Sequence, residues 1–130
     1  MKEQYTQLIK AFIQQYSNIG DEACITEIAG QVLDSSFQWI REFSKNPHEE
    51  TIVNMIIELS AAKTPAAKMT SLLVLAFVLG TTKMPTDVAT GLFDELLFRL
   101  YDAETSDEEL TNYKSVIANL YTTANENSPF

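Results

Sequence analysis

The chain has 130 residues, 45% of them hydrophobic, which is enough apolar surface for one folded domain and too much for wholesale disorder. Eighteen acids against nine Lys and Arg give a formal net charge of −9, so phosphate backbones and anionic membranes are repelled at long range and basic proteins are attracted. One cysteine, Cys24, excludes an internal disulfide, and the opening MKEQYTQLIK holds no uninterrupted apolar run of the signal-peptide kind, so the expected location is the reducing cytoplasm.

Tyr5, Leu8, Ile9, Phe12, Ile13 and Tyr16 recur at the i, i+3, i+4, i+7 spacing of one helical face and predict a first helix from Lys2 to about Ser17. Asn18-Ile19-Gly20 is expected to end it, glycine tolerating the left-handed closing conformation. Asp21 then caps a second helix to about Ser44 by accepting from its free amides. That helix carries the stripe Ile25, Ile28, Val32, Leu33, Phe37, Ile40 and Phe43. Trp39 falls at the stripe's edge and is expected to be a partly buried core residue rather than an anchor for a partner. Gly30 weakens a helix interior by about 1 kcal/mol relative to alanine, which predicts close packing there or a kink. Asn46-Pro47-His48-Glu49 predicts the next helix start, with Asn46 as the cap and Glu49 reaching back, and the third helix runs through Ile52, Val53, Ile56, Ile57 and Leu59 to about Ala62.

Thr64-Pro65 repeats the device and opens a fourth helix, which Gly80 is expected to close. Its core, Met69–Leu79, is apolar on every side, and no charge lies between Lys68 and Lys83. Such a helix must be enclosed by other helices or by lipid. Fourteen residues separate the two lysines, whereas about 20 apolar residues are needed to cross a bilayer. Residues 65–80 are therefore expected at the centre of a bundle. After the linker 81–85, Thr86 is expected to cap a fifth helix to about Tyr101, with Val88, Ala89, Leu92, Phe93, Leu96, Leu97 and Leu100 inward. Ser106 and Glu109 form a capping box for a last helix whose inner side is Leu110, Tyr113, Ile117, Leu120, Tyr121 and Ala124. Residues 126–130 read as a frayed tail. No segment alternates apolar and polar residues as a strand would. The expected fold is all-α: a single-domain bundle of about six helices spanning residues 1–125, packed around the buried central helix.

Most site chemistry finds no support in these residues. Metal sites of bundles and hydrolases need several nitrogen or sulfur ligands, and the chain has one histidine, His48, read as an exposed first-turn residue. Asp102–Asp107 echoes a calcium loop without its turn glycine, and the Ser106 capping box explains the same letters. A nucleophilic Cys24 would need a basic partner, and it reads instead as a boundary thiol with no function. There is no Gly-x-Ser-x-Gly, phosphate loop or dinucleotide fingerprint. The acid pairs Asp94/Glu95 and Asp107/Glu108/Glu109 lie on polar faces or at a helix N-terminus, where ionisation is favoured, rather than in the apolar pocket that general acid catalysis needs. No enzyme activity, cofactor or metal is expected. Direct nucleic-acid binding is not expected either, since the nine bases form no stripe, and no membrane association is expected.

One face stands out. The negative charge gathers in two stretches, about −5 over residues 21–50 and about −6 after residue 93, where Asp94, Glu95, Asp102, Glu104, Asp107, Glu108, Glu109 and Glu126 stand against Arg99 and Lys114. At about 100° per residue from Asp87, Phe98 falls near 20°, amid Asp94, Glu95 and Asp102, with Tyr101 on the same side and Gly91 leaving space. An aromatic ring rimmed by carboxylates resembles an interface hot spot. The competing expectation is that the last helix, or the 102–106 turn, folds over Phe98 and makes it core. The partner-binding set is thus Asp87, Asp94, Glu95, Phe98, Tyr101, Asp102, Glu104, Asp107 and Glu108. The expected function is a small acidic cytoplasmic domain that sequesters or inhibits a basic protein, in the manner of immunity proteins, antitoxins and inhibitors. The alternative is an adaptor module that self-associates, as a homodimer for example, or joins a larger complex. A small-molecule pocket between helices would need a cavity that sequence does not reveal.

Overall fold

Every residue from Ser71 to Thr81 is buried, and Leu72, Leu73, Leu75, Ala76 and Phe77 have no exposed surface at all. A helix with no polar face has no direction in which to meet water, so it becomes the axis on which its amphipathic neighbours lay their apolar stripes. The computed structural model describes residues 2–16, 21–102 and 105–126. They form six helices: α1 (Lys2–Tyr16), α2 (Glu22–Lys45), α3 (Glu49–Leu59), α4 (Pro65–Thr81), α5 (Thr86–Leu100) and α6 (Asp107–Glu126). There is no strand among the described residues, and the fold is the all-α bundle expected. The expected stop at Asn18–Gly20 and all but the first residue of the expected tail lie outside the described residues.

α4 is the central element: α6, α2, α5 and α3 all pack on it, while α1 lies against α2 and α6. Three rings tie α1 and α2 to the axis. Tyr5 meets Phe77 edge-on at 5.2 Å, Phe37 meets Phe77 at 6.0 Å, and Tyr5 meets Phe37 at 6.3 Å, an arrangement in which the positive edge of one ring meets the negative face of the next. Each fully buried leucine or phenylalanine along α4 stabilises the fold by about 1.5–3 kcal/mol relative to exposure.

Local sequence sets three of the helix starts. Asp21 Oδ1 accepts from the Ala23 amide at 3.0 Å, Thr64 Oγ1 from the Ala67 amide at 3.1 Å, and Ser106 Oγ from the Glu109 amide at 3.1 Å, each satisfying a donor that the first helical turn leaves open. Two expected caps are displaced. Asn46 ends α2 instead of starting α3, its amide donating to the Glu42 carbonyl at 2.9 Å. The N-cap of α3 is His48, whose side chain makes no capping bond. Likewise Pro85, not Thr86, stands at the N-cap of α5, and Thr86 is already helical.

The glycines correct the expectation most clearly. Gly80 does not close α4, which continues through Thr81. It lies instead where α6 crosses, and a Cβ there would fall 2.5 Å from the Tyr121 carbonyl oxygen and 2.8 Å from the Ala124 Cβ. The left-handed residue that ends α4 is Lys83, at φ 57°. Its amide donates to the Gly80 carbonyl at 3.1 Å and the Met84 amide to the Leu79 carbonyl at 2.9 Å, the paired bonds of a Schellman closure with lysine in the place glycine usually takes. Gly30, expected to mark close packing or a kink, has nothing within 4 Å of where a Cβ would be, and α2 runs unbroken through it.

Candidate functional site

α5 docks on α4 through Ala89, Phe93, Leu96, Leu97 and Leu100, all buried. With 3.6 residues per turn, that arc dictates what the opposite side presents. Asp87, Gly91, Asp94, Glu95 and Phe98 are all exposed there. Phe98 is 80% exposed and Tyr101, the C-cap residue, 53%. No described residue of α6 or elsewhere covers Phe98, so of the two expectations for this ring the exposed one holds. Gly91 has no atom within 4 Å of a hypothetical Cβ, which leaves the surface one to two turns before Phe98 bare.

The acids of the expected face fall into three groups. Asp87 and Asp94 are exposed, and no ion pair engages them among the described residues. Glu95 is bridged along the helix by Arg99, with Nε to Oε1 at 2.8 Å, an exposed i, i+4 pair of small energetic weight. Asp102, still half-exposed, has a different task. Its Oδ2 lies 2.5 Å from Lys68 Nζ and its Oδ1 accepts from Thr105 Oγ1 at 3.1 Å. Lys68 belongs to the first turns of α4 and is 8% exposed, and a cation that deeply placed needs a partner. Asp102 therefore anchors the chain just past the end of α5 to the central helix. Asp107 and Glu108 are exposed in the first turn of α6, where the helix dipole favours negative charge. Glu104 lies outside the described residues.

Tyr113 sits at the edge of this anchor, buried on α6. Burial pushes its phenol above the ordinary tyrosine pKa, the Glu109 carboxylate pushes the same way, Lys68 opposes, and Asp102 adds to the rise.

Three of the hollows formed by the described residues exceed 300 Å³, and sequence indicated none of them. The first, of about 320 Å³, runs between α5 and α6, with Phe93, Leu97, Ile117 and Tyr121 among its walls and Asp94 and Lys114 at its rim. The second, of about 390 Å³, lies between α2 and α3 and is polar, with Gln38, Trp39, Glu42, His48, Glu50 and Asn54 among its walls. The third, of about 480 Å³, is shared by α2, α3 and α4 around Gln31, Ser35, Leu59 and Ser71. Trp39 is half-buried, as is Cys24, and His48 is exposed. Val53 and Ile57 on α3 are 47% and 53% exposed, an apolar surface missed because both letters fit a helical apolar run. A wheel centred on buried Met55, Ile56 and Leu59 would have set them to one side.

Among the described residues no group of three or more His, Cys, Asp or Glu could hold a metal ion, and no helix is long and apolar enough to cross a membrane. Comparisons with protein-family models, with curated proteins and with solved structures each find no match to this chain.

Proposed function

We propose that this protein is a binding domain that sequesters or inhibits a basic partner protein, using the outer face of α5 and the first turn of α6. The observation that carries this is Phe98, 80% exposed on a helix whose other aromatic, Phe93, is buried. A large ring held in water on a rigid helix loses little conformational freedom on association and gains the whole of its burial. Asp87, Asp94, Asp107 and Glu108 supply the surrounding negative potential, which steers a cationic surface toward the ring and disfavours neutral competitors. Immunity proteins, antitoxins and inhibitors of nucleic-acid-directed enzymes meet partners of that charge.

Self-association through this face is the weaker alternative. In a two-fold dimer each patch meets its own copy, and here that sets carboxylates against carboxylates. The same repulsion disfavours direct contact with nucleic acid or an anionic membrane. The proposed role needs no cofactor, metal or catalytic residue. A chain with one cysteine suits a reducing compartment, and we place its action in the cytoplasm.

The test is capture from extract of the source cells by wild-type protein and by Phe98→Ala side by side, followed by titration of the recovered partner. A basic protein held by wild type and released at least fivefold more readily by Phe98→Ala supports the proposal. A partner that is acidic, or one that binds both forms equally, overturns it.

A further inference from the structure

We infer that the groove between α5 and α6 receives a basic amphipathic helix of the partner, its apolar side seated in the groove and its cationic flank lying along α5. This rests on the binding role proposed above and names the element that α5 and α6 recognise. α5 and α6 each pack on α4, and the channel between them has a volume of about 320 Å³. Phe93 and Leu97 line one wall, Ile117, Ala118 and Tyr121 the other.

The floor is already set for an occupant. Phe93 and Tyr121 meet edge to face at 5.8 Å, and the Tyr121 hydroxyl donates to the Met84 carbonyl in the linker between α4 and α5. Rings held this way have little freedom left to lose when an apolar side chain arrives. On α5 the walls run from Thr86 to Leu97, about 17 Å at 1.5 Å per residue, or three helical turns. That length takes apolar anchors at i, i+3, i+4 and i+7, the pattern by which a helix fills a groove.

Charge selects the occupant. Asp94 stands on the α5 wall, one turn before Phe98 and on the same exposed side as Asp87, so the groove and the aromatic face share an acid. On the α6 wall the charged residue is Lys114. A helix with Lys or Arg along one flank and uncharged residues along the other matches both walls in one orientation. A second copy of this chain, at −9, matches poorly, as does a neutral apolar ligand that leaves Asp94 and Asp87 unanswered.

The probe is a fluorescein-labelled synthetic peptide of about 14 residues, with leucines at i, i+3, i+4 and i+7, lysines along one flank and glutamines along the other. Anisotropy is read against wild type, Phe98→Ala and Ala118→Trp, whose indole would fill the channel from an exposed wall position. Thr90→Trp, on the opposite wall and also exposed, serves if Ala118→Trp does not fold. The expected result is saturable binding that a scrambled peptide and a glutamate-for-lysine peptide lack, weakened at least tenfold by the tryptophan variant. Equal affinity for the scrambled peptide, no binding to wild type, or affinity within twofold in the tryptophan variant overturns the inference. Loss with Phe98→Ala but not with the tryptophan variant rejects the groove and leaves the aromatic face standing. Loss with the tryptophan variant alone keeps the groove and rejects Phe98 as the anchor. A doubled mass of the protein alone in light scattering, halved by Ala118→Trp, makes the groove a contact between copies and overturns the inference.

Discussion

Phe98 spends 80% of its surface in water, and a residue so placed has little to lose in the folded state by truncation. Phe98→Ala is expected to shift the free energy of unfolding by less than about 0.5 kcal/mol, as surface changes do, while costing more than about 1 kcal/mol in partner affinity. Thermal melts and binding titrations on the same preparations separate the two. A melting temperature that falls by several degrees would make the ring part of the core. Tyr113 offers the opposite case, a group whose ionisation the fold resists. Its phenol is raised by burial first, then by Glu109, with Asp102 adding and Lys68 opposing. The unfolded chain therefore gives up this proton at lower pH than the folded one. The stability tied to it is fully present below the ordinary tyrosine pKa of about 10 and is lost as pH rises through the higher folded value. Urea unfolding from pH 9 to 11.5 should show a fall in stability that Tyr113→Phe makes shallower, and an unchanged slope would count against the assignment.

At the scale of the element, α4 and the glycines of the helices divide what was legible from what was not. The unbroken apolar letters of 69–79 announced a buried axis because no arrangement of a helix hides such a surface from water except enclosure. The caps at Asp21, Thr64 and Ser106 were legible because a cap is a bond between a side chain and a backbone two or three residues away. Gly80 was misread because its role depends on Tyr121 and Ala124, some forty positions further on, which local letters do not carry. The Lys68–Asp102 pair and the groove beside Phe93 were hidden for the same reason, being products of how the helices cross. On the candidate face, the direction of Phe98 followed from the wheel, whereas the anchoring task of Asp102 did not. The two glycines give a paired prediction. Gly80→Ala forces a methyl against backbone that cannot yield and should cost about 1–3 kcal/mol. Gly30→Ala meets nothing within 4 Å and should add about 0.5–1 kcal/mol by restricting the unfolded chain and favouring the helix. Denaturation midpoints moving in opposite directions bear this out, and a loss of stability at both positions would refute it.

For the whole molecule the controlling quantity is the charge of −9, with Asp94 and Glu95 exposed on α5 and Asp107 and Glu108 exposed in the first turn of α6. Fields from such a distribution act over about 10 Å at 0.1 M salt and much less at 1 M. Stopped-flow association with the basic partner should slow at least tenfold between about 0.05 and 0.5 M salt, with dissociation changing far less, because screening removes the steering and leaves the apolar contact. An on-rate indifferent to salt would leave the acids without a role in encounter. The seam between α4 and α6 has a consequence for biosynthesis. As the polypeptide leaves the ribosome, the oily axis emerges before the segment that roofs it at Gly80. Until Tyr121 and Ala124 have emerged, a nascent intermediate carries that axis incompletely covered, sticky to other chains and a natural client for a chaperone. Any message cut short between the two would be expected to yield aggregate rather than a smaller working protein.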